Sequence, residues 1–530
     1  MSNAPEQTPT PSAAGSYDGS RIARQGLSRR RFSINTAASL MNHGFQIAVG
    51  IWYTPYLLSK LPEQVYGIIP LTTAFLQYML LLMTSLSASI GRYVTADLSR
   101  GDIRAANATF NGFFFGGLKL VIGLSAAIAV FCIVLPIRVP AGYDGEARFL
   151  AAAIFGSTLL LGFSNCFDTA IWATSRFEIR HMIESAAILL RNGGVVLLFA
   201  LAAPSIWQVG VAVIAAAVLQ TAALFLVWKK LTPELHIDSK AMTDETRGII
   251  YTTGRWVLIV NLGTALLMSS DLIVINRFYD TAQGAKYAVV LLWITILRSI
   301  FGSLMAGLTP SMVALEARKD HDYLFALMSR SIRLSGALGA HCSAILAGMA
   351  LPVLTVWLKK PWVGETAPVA WILLLPLSLE ISFNSLLPAI LTTKDRVRTQ
   401  AIASCVIAVL GVTAGVVLVQ TTNLGMYGVA LATAGASILR YAIVNPIQAT
   451  SGFEGIPRTY FLRQGIPTLL RFAATAPIAY AVSQWIQPTG YFGLVVSALA
   501  VTVVALPVSL MLLPAEDRDW VRSLLGKSVN

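Results

Sequence analysis

Apolar runs of 20 or more residues, separated by short polar breaks, recur along the whole chain. One such run is what a helical crossing of a bilayer needs, at about 1.5 Å per residue and a hydrocarbon core of about 30 Å. In the first part of the chain the runs are 34–58, 65–91, 108–136, 149–174, 182–202 and 206–228. In the second part they are 256–276, 287–314, 334–358, 366–392, 399–420 and 424–446, and two more follow at 467–486 and 490–513. Two charge-free stretches each hold two crossings, broken near Ala203-Pro204-Ser205 and near Thr422-Asn423. Helices are expected because lipid offers no partner to an open backbone group, and the short alternating segments of a barrel are absent. The pattern predicts an all-α polytopic membrane protein with 14 transmembrane helices.

Composition supports this reading. Of 530 residues, 55% are hydrophobic and 12% charged, against roughly 25% charged in soluble domains. A soluble enzyme, a disordered chain and a nucleic-acid-binding module are excluded. The net charge of +13 then reports sidedness. An even number of crossings puts both termini on one side. With that side cytoplasmic, the inner segments hold 29 Lys and Arg, the outer loops seven (Lys60, Arg138, Arg148, Arg277, Lys286, Lys359 and Lys360) and the spans three. Arg21, Arg24, Arg29, Arg30 and Arg31 crowd before the first run, which places the N-terminal tail in the cytoplasm. The outer loops are too short for a catalytic domain, so no enzyme activity is expected. Cys132, Cys166, Cys342 and Cys405 lie in apolar stretches without Cys-x-x-Cys spacing and read as packing residues. Neither metal nor cofactor is expected.

The spacing also suggests duplication. Arg176 and Arg180 match Lys394 and Arg398 at an offset of 218, and Gly210-Val211-Ala212 matches Gly428-Val429-Ala430 at the same offset. Tyr66-Gly67 matches Tyr287-Ala288 at 221. Fixed-offset similarity is typical of transporter folds. The expected organisation is a basic, disordered cytoplasmic tail (1–33), a six-helix lobe (34–228), a cytoplasmic linker (229–255), a second six-helix lobe (256–446), two further helices (447–513) and a C-terminal cytoplasmic tail (514–530).

This layout resembles the polysaccharide flippases of the multidrug/oligosaccharidyl-lipid/polysaccharide exporter superfamily. The resemblance rests on Tyr53-Thr54-Pro55-Tyr56-Leu57-Leu58 with Tyr66-Gly67 nearby, on the basic turns after the fourth and tenth runs, and on two helices beyond a twelve-helix core. It implies export of an undecaprenyl-diphosphate-linked oligosaccharide across the bacterial inner membrane by alternating access, for surface polysaccharide such as lipopolysaccharide or exopolysaccharide. The implied partners are the lipid-linked oligosaccharide, membrane lipids, the polymerase machinery and a coupling proton or sodium ion; nucleic acid is not among them. A cation-coupled multidrug exporter and a lipid II flippase are the alternatives.

Ionisable residues inside a span cost at least about 2.5–3.5 kcal/mol at its centre and so face a cavity or a partner. Arg298, Arg191 and Lys119 are the candidates for a cationic cavity that would hold a diphosphate, since guanidinium groups bind such oxyanions bidentately. The competing reading is ion pairing between helices, or tight packing beside Gly112, Gly116 and Gly123 for Lys119. Glu380, Asp271 and Asp168 are candidates for ion coupling or gating. Uncharged polar residues recur on single helix faces at about 100° per residue: Asn42 and Gln46 in the first run, Asn165 and Trp172 in the fourth, Asn261 in the seventh. They are candidates for a polar cavity wall that meets sugar hydroxyls and faces, against plain interhelical bonding. Pro55, Pro70, Pro310, Pro376 and Pro388 could bend helices during lobe movement.

Overall fold

A computed structural model describes residues 29–135, 137–238, 244–306, 308, 312, 315–316, 318–384, 397–451, 453 and 456–519. The tail through residue 28, Lys394, and the bend candidates Pro310 and Pro388 lie outside them. The described chain is helical throughout, and a long helix or helix pair occupies each expected run. These are α1 (Arg29–Lys60), α2 (Ile68–Ser99), α3 (Ile103–Val134), α4 (Asp144–Ser164), α5 (Phe177–Leu201), α6 (Ile206–Leu231) and α7 (Asp244–Phe278). They continue as α8 (Thr281–Ala306), α9 (His321–Gly348), α10 (Val363–Asn384), α11 (Val397–Thr421), α12 (Met426–Ile438), α13 (Tyr460–Ile486) and α14 (Tyr491–Met511). Among the described residues, 11 helices are long and apolar enough to cross a membrane, or 12 when a bent pair counts as one span. α1 and α2 are outside that count, and Asn35, Asn42, His43 and Gln46 dilute the apolarity of α1.

Local chemistry sets the ends and breaks. Ser205 and Gln208 form a reciprocal capping box that starts α6 at the predicted break. Asp102 and Asp320 cap α3 and α9 by accepting from Ala105 and Tyr323. Two expected spans are not single helices. The fourth ends at Ser164, turns through 165–168 and resumes as a short helix, Thr169–Thr174. The ninth bends by 66° between α9 and Ala350–Leu358. There Pro352 sits in the first turn of the second piece, where its missing N–H is tolerated. α12 continues through a π-helical turn, Leu439–Val444, into Asn445–Thr450. Pro446 cannot donate to the carbonyl four residues earlier, which fits a ladder that widens at this point.

The short loops gather at one end of the bundle, and their contacts join the two halves of the sequence. Trp362 Nε1 donates to the Glu63 carboxylate. Trp357 Nε1 donates to the Ile51 carbonyl at 2.6 Å. The Arg138 backbone exchanges hydrogen bonds with the Asn276 amide at 3.0 and 3.1 Å. At Gly67 an added Cβ would stand 1.9 Å from the Thr281 carbonyl oxygen, so only glycine permits this approach. One apolar cluster runs through both halves here, from Leu57, Tyr66 and Phe155 to Tyr287, Trp293 and Leu374. Towards the opposite end, the buried apolar groups of the described residues form separate clusters. One of them is built around Phe110, Phe167 and Trp228, and another around Met328, Phe383 and Phe461.

The charge reading needs one correction. Arg440 and Arg471 belong to the 29 cations assigned to inner segments, yet both are buried within helical structure, at 3% and 1% exposure. Each lies near the end of its apolar run, so proximity to a boundary made them look like flanking cations.

Candidate functional site

A cavity of ≈ 550 Å³ lies between α1–α2 and α7, α8, α10 and α12. Most of its wall is apolar. The charged residues among its described lining are Asp271, Arg298 and Glu380. Arg298 on α8 and Glu380 on α10 form a bidentate pair: Nε donates to Oε1 at 2.6 Å and Nη2 to Oε2 at 2.8 Å. The Glu380 side chain is 4% exposed, whereas that of Arg298 is 34% exposed and faces the cavity. Fork-to-fork geometry of this kind combines charge with orientation. It also uses the Arg298 charge, so Arg298 does not stand as a free cation.

Asp271 on α7 is held differently. Tyr287 Oη donates to its Oδ2 at 2.5 Å and Thr433 Oγ1 to its Oδ1 at 2.6 Å. Both partners are neutral. The corresponding positions of the first half carry no acid: Tyr66 and Thr54 both line the same cavity. Tyr66 and Tyr287 are 221 positions apart, and Thr54 and Asp271 are 217 apart. Gln77, another wall residue, lies 221 positions before Arg298. At these positions the second half carries charge where the first carries neutral polar groups.

Below Asp271, the α7–α12 seam holds a second rung. Arg440 Nη2 donates to Thr264 Oγ1 at 2.8 Å. Thr433 and Arg440 are seven positions apart, as are Thr264 and Asp271. The two rungs therefore share one face of an antiparallel pair, about two turns or 10.5 Å apart. Arg440 lies in the π-helical turn.

The remaining candidates lie elsewhere. Asn42, Asp168 and Asn165 belong to a second polar centre inside the first half, around a cavity of ≈ 110 Å³. Arg180 bridges Asp168 Oδ2 at 3.2 Å and Glu184 Oε1 at 2.8 Å. Asn42 donates to Glu184 Oε2 at 3.0 Å and accepts from Ser185 at 2.8 Å. Asn165 and Asp168 line that small cavity. Trp172 is 44% exposed and packs edge-on against Phe177 at 5.1 Å. Gln46 is exposed and Asn261 half-buried, and neither is part of the described wall of either cavity. Arg191 is exposed on α5, within electrostatic reach of the wall residue Tyr53. Lys119 is exposed on α3 beside the exposed Leu118 and Ile122. Of the three cations expected to share one cavity, Arg298 is in the described lining of the central one and Arg191 and Lys119 are not. As site residues Tyr287, Thr433, Arg180 and Arg440 escaped the sequence reading, in which Tyr287 and Arg180 served as marks of the repeat. For Arg440 a signal existed, since it is the one charge between Gly425 and Val444.

No protein-family model matches the chain. It is 28% identical over 462 residues to the uncharacterized membrane protein EpsK of Bacillus subtilis, covering 86% of this chain and 90% of that one. Its fold matches an inward-facing multidrug-resistance MATE transporter of the MOP superfamily with a TM-score of 0.63 at 14% identity, covering 81% of this chain and 99% of that one. A MOP-superfamily transporter from Pyrococcus furiosus, described as having a binding pocket of reversed polarity, gives 0.55 at 14% identity, covering 86% and 96%. A Vibrio cholerae MATE transporter, VcmN, gives 0.57 at 11%, covering 83% and 99%.

Proposed function

We propose that this chain, a multi-pass membrane protein with the fold of the MOP-superfamily transporters, is a flippase. It would move an undecaprenyl-diphosphate-linked oligosaccharide from the inner to the outer leaflet of the bacterial cytoplasmic membrane by alternating access. In this reading α1–α14 make fourteen crossings, arranged as two six-helix lobes and a terminal pair. The short-loop end faces outward and both termini lie inside. The carrying observation is the central cavity between the halves of the chain, with a largely apolar wall and its charges drawn from α7, α8 and α10. The apolar surface suits a lipid-borne substrate, and a few polar groups fix orientation. Contacts that join the halves at the short-loop end support a state whose outer end is closed.

Coupling is assigned to Asp271. A buried acid held by a tyrosine and a threonine can take up and release a proton or a sodium ion as its surroundings rehydrate. Glu380, fully engaged by Arg298, is the structural member of the ionic set. In a strain lacking the gene, undecaprenyl-linked repeat units should accumulate on the cytoplasmic leaflet. Normal surface polysaccharide with increased dye sensitivity would favour the second reading, a cation-coupled multidrug exporter. One observation speaks for that reading: the described charged wall holds two acids and one base, whereas the sequence suggested a cationic surplus.

A further inference from the structure

Outside the Asp271 and Arg298–Glu380 groups, the π-helical turn of α12 holds a buried cation. Arg440 is 3% exposed, yet among the described residues its guanidinium makes a single hydrogen bond, to Thr264 Oγ1 at 2.8 Å. Among the described residues its Nε and Nη1 are buried without a partner, as is the neighbouring Tyr441 hydroxyl. Among the described residues no carboxylate lies within ion-pair distance of Arg440. Its guanidinium carbon stands 5.2 Å from the Tyr441 ring centroid, which contributes attraction but no acceptor. Arginine stays charged in proteins, so a buried, half-bonded guanidinium is an unmet demand for an anion.

Position connects this demand to the cavity. Thr264, the one acceptor Arg440 has, lines the cavity, and so does Ser437, one turn before Arg440 on α12. Arg440 therefore stands one side chain behind the wall. It sits in a helix segment whose widened turn is a common site of functional bending. The free donors at Nε and Nη1 belong to different edges of the guanidinium plane. A carboxylate engages one edge, as Glu380 does on Arg298. Donors on two edges suit an anion that offers several oxygens in different directions, as phosphate and diphosphate do.

We propose that Arg440 is an oxyanion-recognition residue of the transport path, which binds a phosphate- or diphosphate-type group when the α12 turn opens towards the cavity. This rests on the reading of that cavity as the path of a transported molecule. The site is separate from the three cations picked out in the sequence, and it places the anion beside Thr264 and Ser437, about two helical turns from Asp271.

The test uses the full chain in phosphatidylcholine nanodiscs and reads its melting temperature against three probes: a polyprenyl diphosphate, the matching polyprenol, and inorganic pyrophosphate. A ligand that binds only the folded state raises the melting temperature. The polyprenyl diphosphate should stabilise the wild type and the polyprenol should not. Stabilisation by pyrophosphate as well would identify a site that also accepts free anions; stabilisation by the lipid alone would identify a lipid-headgroup site. In either case Arg440→Gln should weaken the effective probe at least about tenfold, and Arg440→Lys, which keeps charge but loses the fork, by a smaller factor. Should Arg440→Gln not fold, Arg440→Lys carries the comparison. Unchanged affinity in the folded variant, or a wild type indifferent to both anions, overturns the proposal. Oligosaccharide transport is read separately, so loss of anion binding in Arg440→Gln stands even where no glycan is moved. Transport with unaltered anion binding in that variant removes this site alone.

Discussion

The Arg298–Glu380 pair gives the sharpest energetic prediction, because its two members are buried to different degrees. Replacing Arg298 by Met leaves Glu380 with no partner in a site where its side chain is 4% exposed. Stranding a buried charge in this way costs about 3–5 kcal/mol. Replacing Glu380 by Gln leaves Arg298 charged, but its side chain is 34% exposed and borders the cavity. Water there screens the charge, and the amide oxygen of Gln can still accept one of the two bonds, so about 1–2 kcal/mol is expected. The double replacement removes both charges and should cost well under the sum, since it leaves a neutral amide and no stranded charge. The assay is a double-mutant cycle on purified protein in one detergent, followed by denaturant or thermal unfolding of all four forms. A coupling of about 2 kcal/mol or more is expected, with Arg298→Met the worse single change. Additive losses, or a larger loss in Glu380→Gln, would refute the view that this arginine serves the glutamate rather than a substrate.

Three other changes probe other parts of the account. Asp271→Asn preserves size and one acceptor, so the protein should fold normally while reconstituted transport loses its dependence on an imposed proton or sodium gradient; gradient-dependent transport at the wild-type level would exclude Asp271 as the coupling acid. Trp362→Phe deletes the donor to Glu63 at the short-loop end and should raise cysteine-reagent labelling of a probe introduced at position 73 of the cavity wall when the reagent is applied from outside, whereas unchanged labelling would deny this contact a gating role. Gly348→Val places a Cβ 2.3 Å from the Ala476 carbonyl oxygen and should destabilise by more than about 3 kcal/mol, visible as loss of folded protein on size-exclusion chromatography.

Much of the fold could be read in the chain because a bilayer leaves little choice. Each run long enough to cross became a helix or a helix pair, and the break at Ala203-Pro204-Ser205 appears as the capping box that starts α6. The interruptions after Ser164, at Met349 and at Leu439 were not legible. Asn165 and Asp168 stand at the first and Arg440 at the third, but isolated polar residues also occur inside unbroken helices, and what distinguishes these points is backbone geometry set by neighbours. For the site, depth could be read and pairing could not. Arg298, Glu380 and Asp271 were singled out by their positions within apolar runs, and all three line the cavity. That Arg298 meets Glu380 depends on α8 lying beside α10, which no periodicity encodes. Lys119 and Arg191 have comparable depth but are not in the cavity's described lining, Lys119 beside exposed apolar residues of α3 and Arg191 within reach of the wall residue Tyr53. Arg440 shows the opposite failure: it was assigned to a flank because it is close to the end of its run, while the π turn carries it inward.

The most direct test of the central claim is translocation by the purified chain in proteoliposomes. A fluorescent polyprenyl-diphosphate-linked oligosaccharide is placed in both leaflets, and its exposure to an impermeant glycosidase or quencher is followed with time. The account predicts that the protected fraction is lost in vesicles containing the protein, and that Arg440→Gln and Asp271→Asn slow this loss. Equal protection in protein-containing and empty vesicles, together with gradient-driven movement of a cationic dye, would contradict the flippase reading and leave the drug-exporter reading in its place.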